Sequence, residues 1–208
     1  MLSSKNPSPP LRRSLPARLA AGFTLVELLV VIIILAVVMA IGFPSFTAVF
    51  NNNRLSSTAN EVVASVQIAR IEAVRRNTRV ILCNSADGAT CTNVAAGVAW
   101  TGWIVLVPDG NGDGTANDPL LLRRGEPPPR VQLRASDALA TGQLVFRSDG
   151  YARNGTAGNA PLANGSVAVC IVTTRPAQNE RMVAVAAGSR ISTRVLNGAG
   201  ACDKPTDA

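Results

Sequence analysis

The stretch GFTLVELLVVIIILAVVMAIGFP, from Gly22 to Pro44, decides how the rest of the chain is read. From Phe23 to Phe43 it is almost wholly apolar, and Glu27 is its single charge. A helix rises about 1.5 Å per residue, so this run as a helix is roughly 30 Å long, the thickness of a bilayer's hydrocarbon core. A carboxylate inside such a segment costs on the order of a few kcal/mol, which marks Glu27 as a functional residue awaiting a partner. The plain alternative is a single-span anchor that happens to carry a Glu near its end.

What precedes the run sets its orientation. Lys5, Arg12, Arg13 and Arg18 lie before Gly22, and no acidic residue does. Basic residues flanking a span mark the cytoplasmic side. Residues 1–21 are therefore expected in the cytoplasm and residues beyond about 44 outside it. Four prolines and scattered serines give residues 1–21 the composition of a disordered leader. A secretory signal peptide is the rival reading, but its apolar core is shorter, about 7–15 residues, and its small-residue cleavage site follows that core. Here the apolar run is longer and no A-x-A follows it.

Gly22-Phe23-Thr24-Leu25-Val26-Glu27 resembles the processing and assembly motif of type IV pilins and pseudopilins. The resemblance implies that a prepilin peptidase cuts between Gly22 and Phe23 and methylates the new N-terminal Phe23. It implies too that Glu27 contacts the N-terminal amine of a neighbouring subunit. Both charges are costly alone in a low-dielectric core and compensated together, which would set the axial register between subunits.

The formal net charge is +7, from 20 basic and 13 acidic residues. Cleavage after Gly22 removes four of the basic residues, leaving +3, so the high charge belongs partly to the leader. The 208 residues leave room for one anchor and one globular domain with a real core. Past Pro44 helical periodicity resumes, so Gly42 and Pro44 are expected to kink the helix rather than end it. Leu55, Ala59, Val62, Val66, Ala69 and Ala73 recur at spacings of four and three, one face of a helix expected to end near Asn77.

Strand patterns follow. Short apolar runs at 79–83, 98–107, 120–123, 131–133, 144–146, 167–171, 182–185 and 189–195 predict six to eight antiparallel strands. The expected fold class is α+β: a pilin-like fold with a long N-terminal hydrophobic helix, kinked near Pro44, packed on an antiparallel β-sheet domain. The expected divisions are a cleaved leader (1–22), a transmembrane or filament-core helix (23–43), an amphipathic second half (44–77) and a periplasmic β-rich domain (78–208).

Ala69-Arg70-Ile71-Glu72-Ala73-Val74-Arg75-Arg76 resembles the helix end of the GspH/FimT branch of the pilin superfamily, as do Cys83, Trp103-Ile104-Val105, Phe146, Gly150 and Val183-Ala184-Val185 with Gly188. The resemblance implies a minor pilin of a type IV pilus, or the H-type minor pseudopilin of type II secretion. Its partners would be other major and minor pilins or pseudopilins, prepilin peptidase, and the inner membrane before assembly.

Gly188-Ser189-Arg190-Ile191-Ser192-Thr193-Arg194 is similar to the arginine-bearing tail, G-R-x-R, through which FimT-type pilins bind DNA in natural transformation, but its spacing differs, with an extra Ser before the first Arg. That resemblance implies double-stranded DNA as a partner of Arg190 and Arg194, and Arg181 or Arg175 would add to the same cluster of cations. Phosphate contact needs clustered exposed cations and no base-reading geometry. The competing reading is an arginine-rich solvated face in a chain with very little Lys.

The four cysteines, Cys83, Cys91, Cys170 and Cys202, all follow the apolar run, in an oxidising compartment on this topology. Three pairings are open. The favoured one joins Cys83 to Cys91 and Cys170 to Cys202. No C-x-x-C and no His occur, so no metal is expected at the cysteines. Asp109, Asn111, Asp113 and Gly114 spell the opening of a calcium loop, but Leu120 stands where the bidentate Glu belongs, and a hairpin turn is the favoured reading. Without His the usual general base and the Ser/His and Cys/His arrangements are missing, so no enzyme and no cofactor are expected.

Overall fold

The computed structural model describes residues 22–108, 119–139, 141–155, 160–186 and 188–208, with 41–45 described as helix only. Two compact units divide the chain, Met1–Gly42 and Phe43–Ala208.

Helix α1 runs Leu25–Arg76, 52 residues, continuing through Gly42 and Pro44. Thr24 caps its start: the Thr24 Oγ1 accepts from the Glu27 N–H at 3.2 Å, and the Thr24 carbonyl accepts the first helical bond from Leu28. Asn77 ends it in a left-handed conformation at φ 50°. The Asn77 N–H donates to the Val74 carbonyl and the Thr78 N–H to the Ala73 carbonyl, the paired bonds of a Schellman cap.

In the second unit α1 packs through the expected stripe. Leu55, Ala59, Val62, Val66, Ala69 and Ala73 are all buried in the core cluster. The small residues let the strands approach closely, and two polar residues on the same side, Thr58 and Ser65, are buried with them.

The described residues form ten strands: β1 (Val80–Asn84), β2 (Ala99–Trp100), β3 (Trp103–Val107), β4 (Leu120–Gly125), β5 (Val131–Ala135), β6 (Gln143–Phe146), β7 (Ala152–Arg153), β8 (Gly165–Ile171), β9 (Glu180–Ala186) and β10 (Arg190–Leu196). They lie in two five-stranded sheets, ordered β4-β3-β1-β6-β7 and β10-β9-β8-β5-β2. Every pairing is antiparallel.

The run 98–107, read as one strand, is two strands in different sheets. Trp100 stays with β5, and the chain crosses at Thr101–Gly102 so that Trp103 pairs with Asn84 of β1. Gly102 fits the crossing because a Cβ there would sit 3.1 Å from the Gly125 and Ser85 carbonyls. The short β7 is a strand that the apolar pattern did not announce.

Alternation sorts each strand's side chains by face. Leu82, Trp103, Val105, Leu144 and Phe146 of the first sheet and Leu133, Val167, Val169, Val183 and Val185 of the second share the main core with α1. The far face of the first sheet carries a smaller cluster of Ile81, Cys83, Ile104, Leu106 and Val145. The far face of the second sheet is crossed by the C-terminal tail. Cys202 is bonded to Cys170, the Ser166 hydroxyl donates to the Thr206 carbonyl at 2.5 Å, and the Ala208 N–H donates to the Asn164 carbonyl. The tail thus runs antiparallel to β8 as a strap, with Cys202 and Pro205 buried beneath it.

Candidate functional site

The first turn of α1 brings the three N-terminal residues of interest into one short segment. Phe23 is 81% exposed, Thr24 is the helix cap, and Glu27 stands three residues after the cap. That order, Thr-x-x-Glu, is a capping-box sequence, and a carboxylate in the first turn is favoured by the helix dipole. Glu27 contributes its backbone N–H to that cap. The large apolar side chains described from Phe23 to Met39, and Phe46, Val49 and Phe50 beyond them, are all exposed. Among the described residues no helix is long and apolar enough to cross a membrane. The apolar part described without interruption, Leu25 to Ala40, stops short of the about 20 residues that a hydrocarbon core needs.

The three arginines assigned to DNA divide into two groups. Arg190 and Arg194 lie on β10, both exposed and on the same face of the strand, opposite to the core-facing Ile191. Arg181 lies on β9 facing the other way. It is 7% exposed, and its guanidinium donates to the side-chain oxygen of Asn52 on α1 and to the carbonyls of Gln178 and Glu180. Burial lowers its pKa from the usual arginine value. The structure brings Arg190 and Arg194 together and sets Arg181 apart as a residue that ties β9 to α1.

The turn that presents Arg190 holds a residue the sequence did not single out for this purpose. Ser189 is 2% exposed and left-handed at φ 59°. Its Oγ accepts from the Ala152 N–H at 2.6 Å, and its carbonyl accepts from the Arg70 guanidinium at 3.3 Å. The extra Ser before the first Arg is thus the anchor of the β9–β10 turn.

Both favoured disulfides are present, Cys83–Cys91 and Cys170–Cys202, each with Cα atoms 5.6 Å apart. Inside the first loop, Asp87 accepts from the Ala89 and Thr90 N–H groups and from the Ser85 and Thr90 hydroxyls, which holds its carboxyl well below the usual range. Beside the second disulfide, Glu180 is 8% exposed, and burial followed by the charge of Asp203 raises its carboxyl above the usual value. Among the described residues no group of three or more acidic or cysteine side chains is placed to hold a metal. The calcium-like sequence 109–114 lies outside the described residues.

Comparison with known proteins meets this geometry at both ends. A family model described as type II transport protein GspH matches residues 58–189, and the prokaryotic N-terminal methylation motif matches residues 17–43. No curated protein matches the chain. Among solved structures, the chain is similar to the type IV minor pilin FimU of Pseudomonas aeruginosa, at 20% identity over 69% of this chain and 90% of that one, TM-score 0.46. It is also similar to the minor pseudopilin EpsH from the type 2 secretion system of Vibrio cholerae, at 9% identity over 68% of this chain and 97% of that one, TM-score 0.47. The family model covers well over half of the chain and takes in α1 from Thr58, the first sheet, the second sheet except β10, and the Ser189 turn, and so the chain belongs to the family described as type II transport protein GspH.

Proposed function

We propose that the chain is a minor pilin of a type IV pilus, stored in the inner membrane as a single span with its β-rich domain in the periplasm. On this reading prepilin peptidase cuts between Gly22 and Phe23, Phe23 is N-methylated, and α1 then enters the filament core among other pilins. The observation that carries the reading is the first half of α1: a capped helix that begins at Leu25, inside the motif, with one carboxylate and its apolar side chains exposed in a row. So large an apolar surface needs lipid or other helices around it. The same helix serves both environments in turn.

Glu27 would pair with the Phe23 amine of a neighbouring subunit. The test is co-expression with the cognate major pilin and measurement of the chain in sheared filaments. Glu27→Gln keeps a polar side chain at the helix start and removes the charge. It should be inserted and processed normally but be depleted from filaments. Normal incorporation of Glu27→Gln contradicts the pairing.

A second machine is compatible with the same helix: the pseudopilus of a type II secretion system, with the chain as its H-type minor pseudopilin. Minor pilin genes or secretion genes beside this one separate the two. A DNA-uptake role would rest on Arg190 and Arg194, which are exposed and share a face. A salt-dependent gel shift with the protein and its Arg190→Ala/Arg194→Ala variant tests it, and equal binding by the two removes these arginines from the role.

A further inference from the structure

The four sheet edges in the described residues are not treated alike. β2 and β7 are two residues each, and β7 is followed by an isolated bridge from Arg153 to Leu162. β4 carries a register shift opposite Val105 and Leu106. Short strands and bulges are the usual ways of making an edge unfit for pairing. β10 has neither. It is seven residues long, pairs with β9 over all seven without a break, and contains no buried residue. Among the described residues β9 is its one hydrogen-bonded neighbour. Val195 on this strand is 57% exposed.

The charges on β10 define what fits the edge. Arg190 and Arg194 lie on one face, four residues and therefore about 13 Å apart along the strand. A second copy of β10 would bring four arginines together, which like-charge cross-strand repulsion opposes. A strand with carboxylates at the two facing positions would instead complete the pattern. We propose that the free edge of β10 is a strand-pairing site for an extended acidic segment of a partner protein, one carrying Asp or Glu residues four apart. Main-chain hydrogen bonds supply the affinity, and the two arginines choose the partner.

This does not rest on the DNA reading, and the two ligands make different demands. A duplex needs the cations alone, whereas strand pairing needs the main chain of β10 as well. Nor does it rest on processing or on Glu27, so its failure leaves the assembly reading standing.

The experiment uses the full chain in detergent and a fluorescent Thr/Val peptide with two Glu residues four apart, read by anisotropy. Replacing both Glu by Lys should weaken binding about ten-fold, since two favourable cross-strand pairs become two unfavourable ones. The R190E/R194E variant should reverse that preference. N-methylation of alternate peptide amides leaves the charges in place and should abolish binding, a control that needs no protein variant. Two results overturn the proposal: N-methylated and parent peptides binding equally, or duplex DNA binding where the Glu peptide does not.

Discussion

The carbonyl of Ser189 accepts a hydrogen bond from the Arg70 guanidinium at 3.3 Å, joining the turn before β10 to α1. The same serine, through its Oγ, accepts from the Ala152 N–H of β7. One buried residue thus fastens the second sheet's edge hairpin to the helix and to the first sheet. Ser189→Ala leaves the Ala152 N–H without its partner, and a buried unpaired donor costs about 1–3 kcal/mol. Denaturant unfolding should show that loss. Arg70→Ala should cost less, and an unchanged midpoint for Ser189→Ala would contradict the anchor.

Trp103 and Ser65 are related in the same way at the centre of the core. The Trp103 Nε1–H donates to the Ser65 Oγ at 2.9 Å, and the Ser65 hydroxyl donates to the Glu61 carbonyl at 2.8 Å. Ser65 is fully buried and Trp103 is 1% exposed, so water cannot replace either partner. Ser65→Ala should destabilise the domain by about 1–3 kcal/mol and broaden the indole N–H resonance of Trp103. Ser65→Thr keeps the hydroxyl and should recover part of the loss.

Glu180 gives the domain a pH dependence whose sign is fixed. Its raised carboxyl pKa means that the native state holds the proton to higher pH than the unfolded chain does. Stability therefore falls as pH rises from the ordinary carboxylate range through the raised native value, and stays lower above it. Glu180→Gln removes the charge, so the variant should unfold at a higher temperature than the parent at neutral pH. The difference should vanish below about pH 4, where both states of the parent are protonated. A pH-independent difference would contradict this origin.

The two disulfides should not be equal in effect. Cys170–Cys202 spans 32 residues and fastens the strap, while Cys83–Cys91 spans 8. Loop-closure entropy makes the longer one worth about 4 kcal/mol and the shorter about 2.5 kcal/mol. Paired Cys→Ser variants measured by chemical unfolding should keep that order. Cys170→Ser/Cys202→Ser should also speed amide exchange along β8, where the strap lies.

The helix was legible because its signals are periodic and local. Six positions at spacings of four and three named the buried stripe of α1, and Asn77 is the left-handed cap that the sequence placed near the helix end. The Thr24 cap on the Glu27 N–H was equally local, but the Glu27 charge in an apolar run drew the reading elsewhere. The sheets were less legible. A continuous apolar run from Val98 to Val107 conceals a change of sheet, because alternation says which face a side chain takes and not which sheet its strand joins. Gly102 between Trp100 and Trp103 was the one hint. Arg181, Arg190 and Arg194 look alike in sequence, and only the register of β9 on β10 separates the first from the other two. The strap over β8 could be expected from Cys202 alone, while the hydrogen bonds it makes with the Ser166 hydroxyl and the Asn164 carbonyl carry no sequence signature.

A filament subunit made from a membrane-stored precursor carries the record of that origin at its N-terminus. The chain should be expressed with prepilin peptidase and the mature N-terminus read by intact mass and peptide sequencing. The product should begin at N-methylated Phe23, and a Gly22→Ala substitution should slow the cut. A mature chain that still carries residues 1–22, or one cut after the apolar run instead of before it, would contradict that origin.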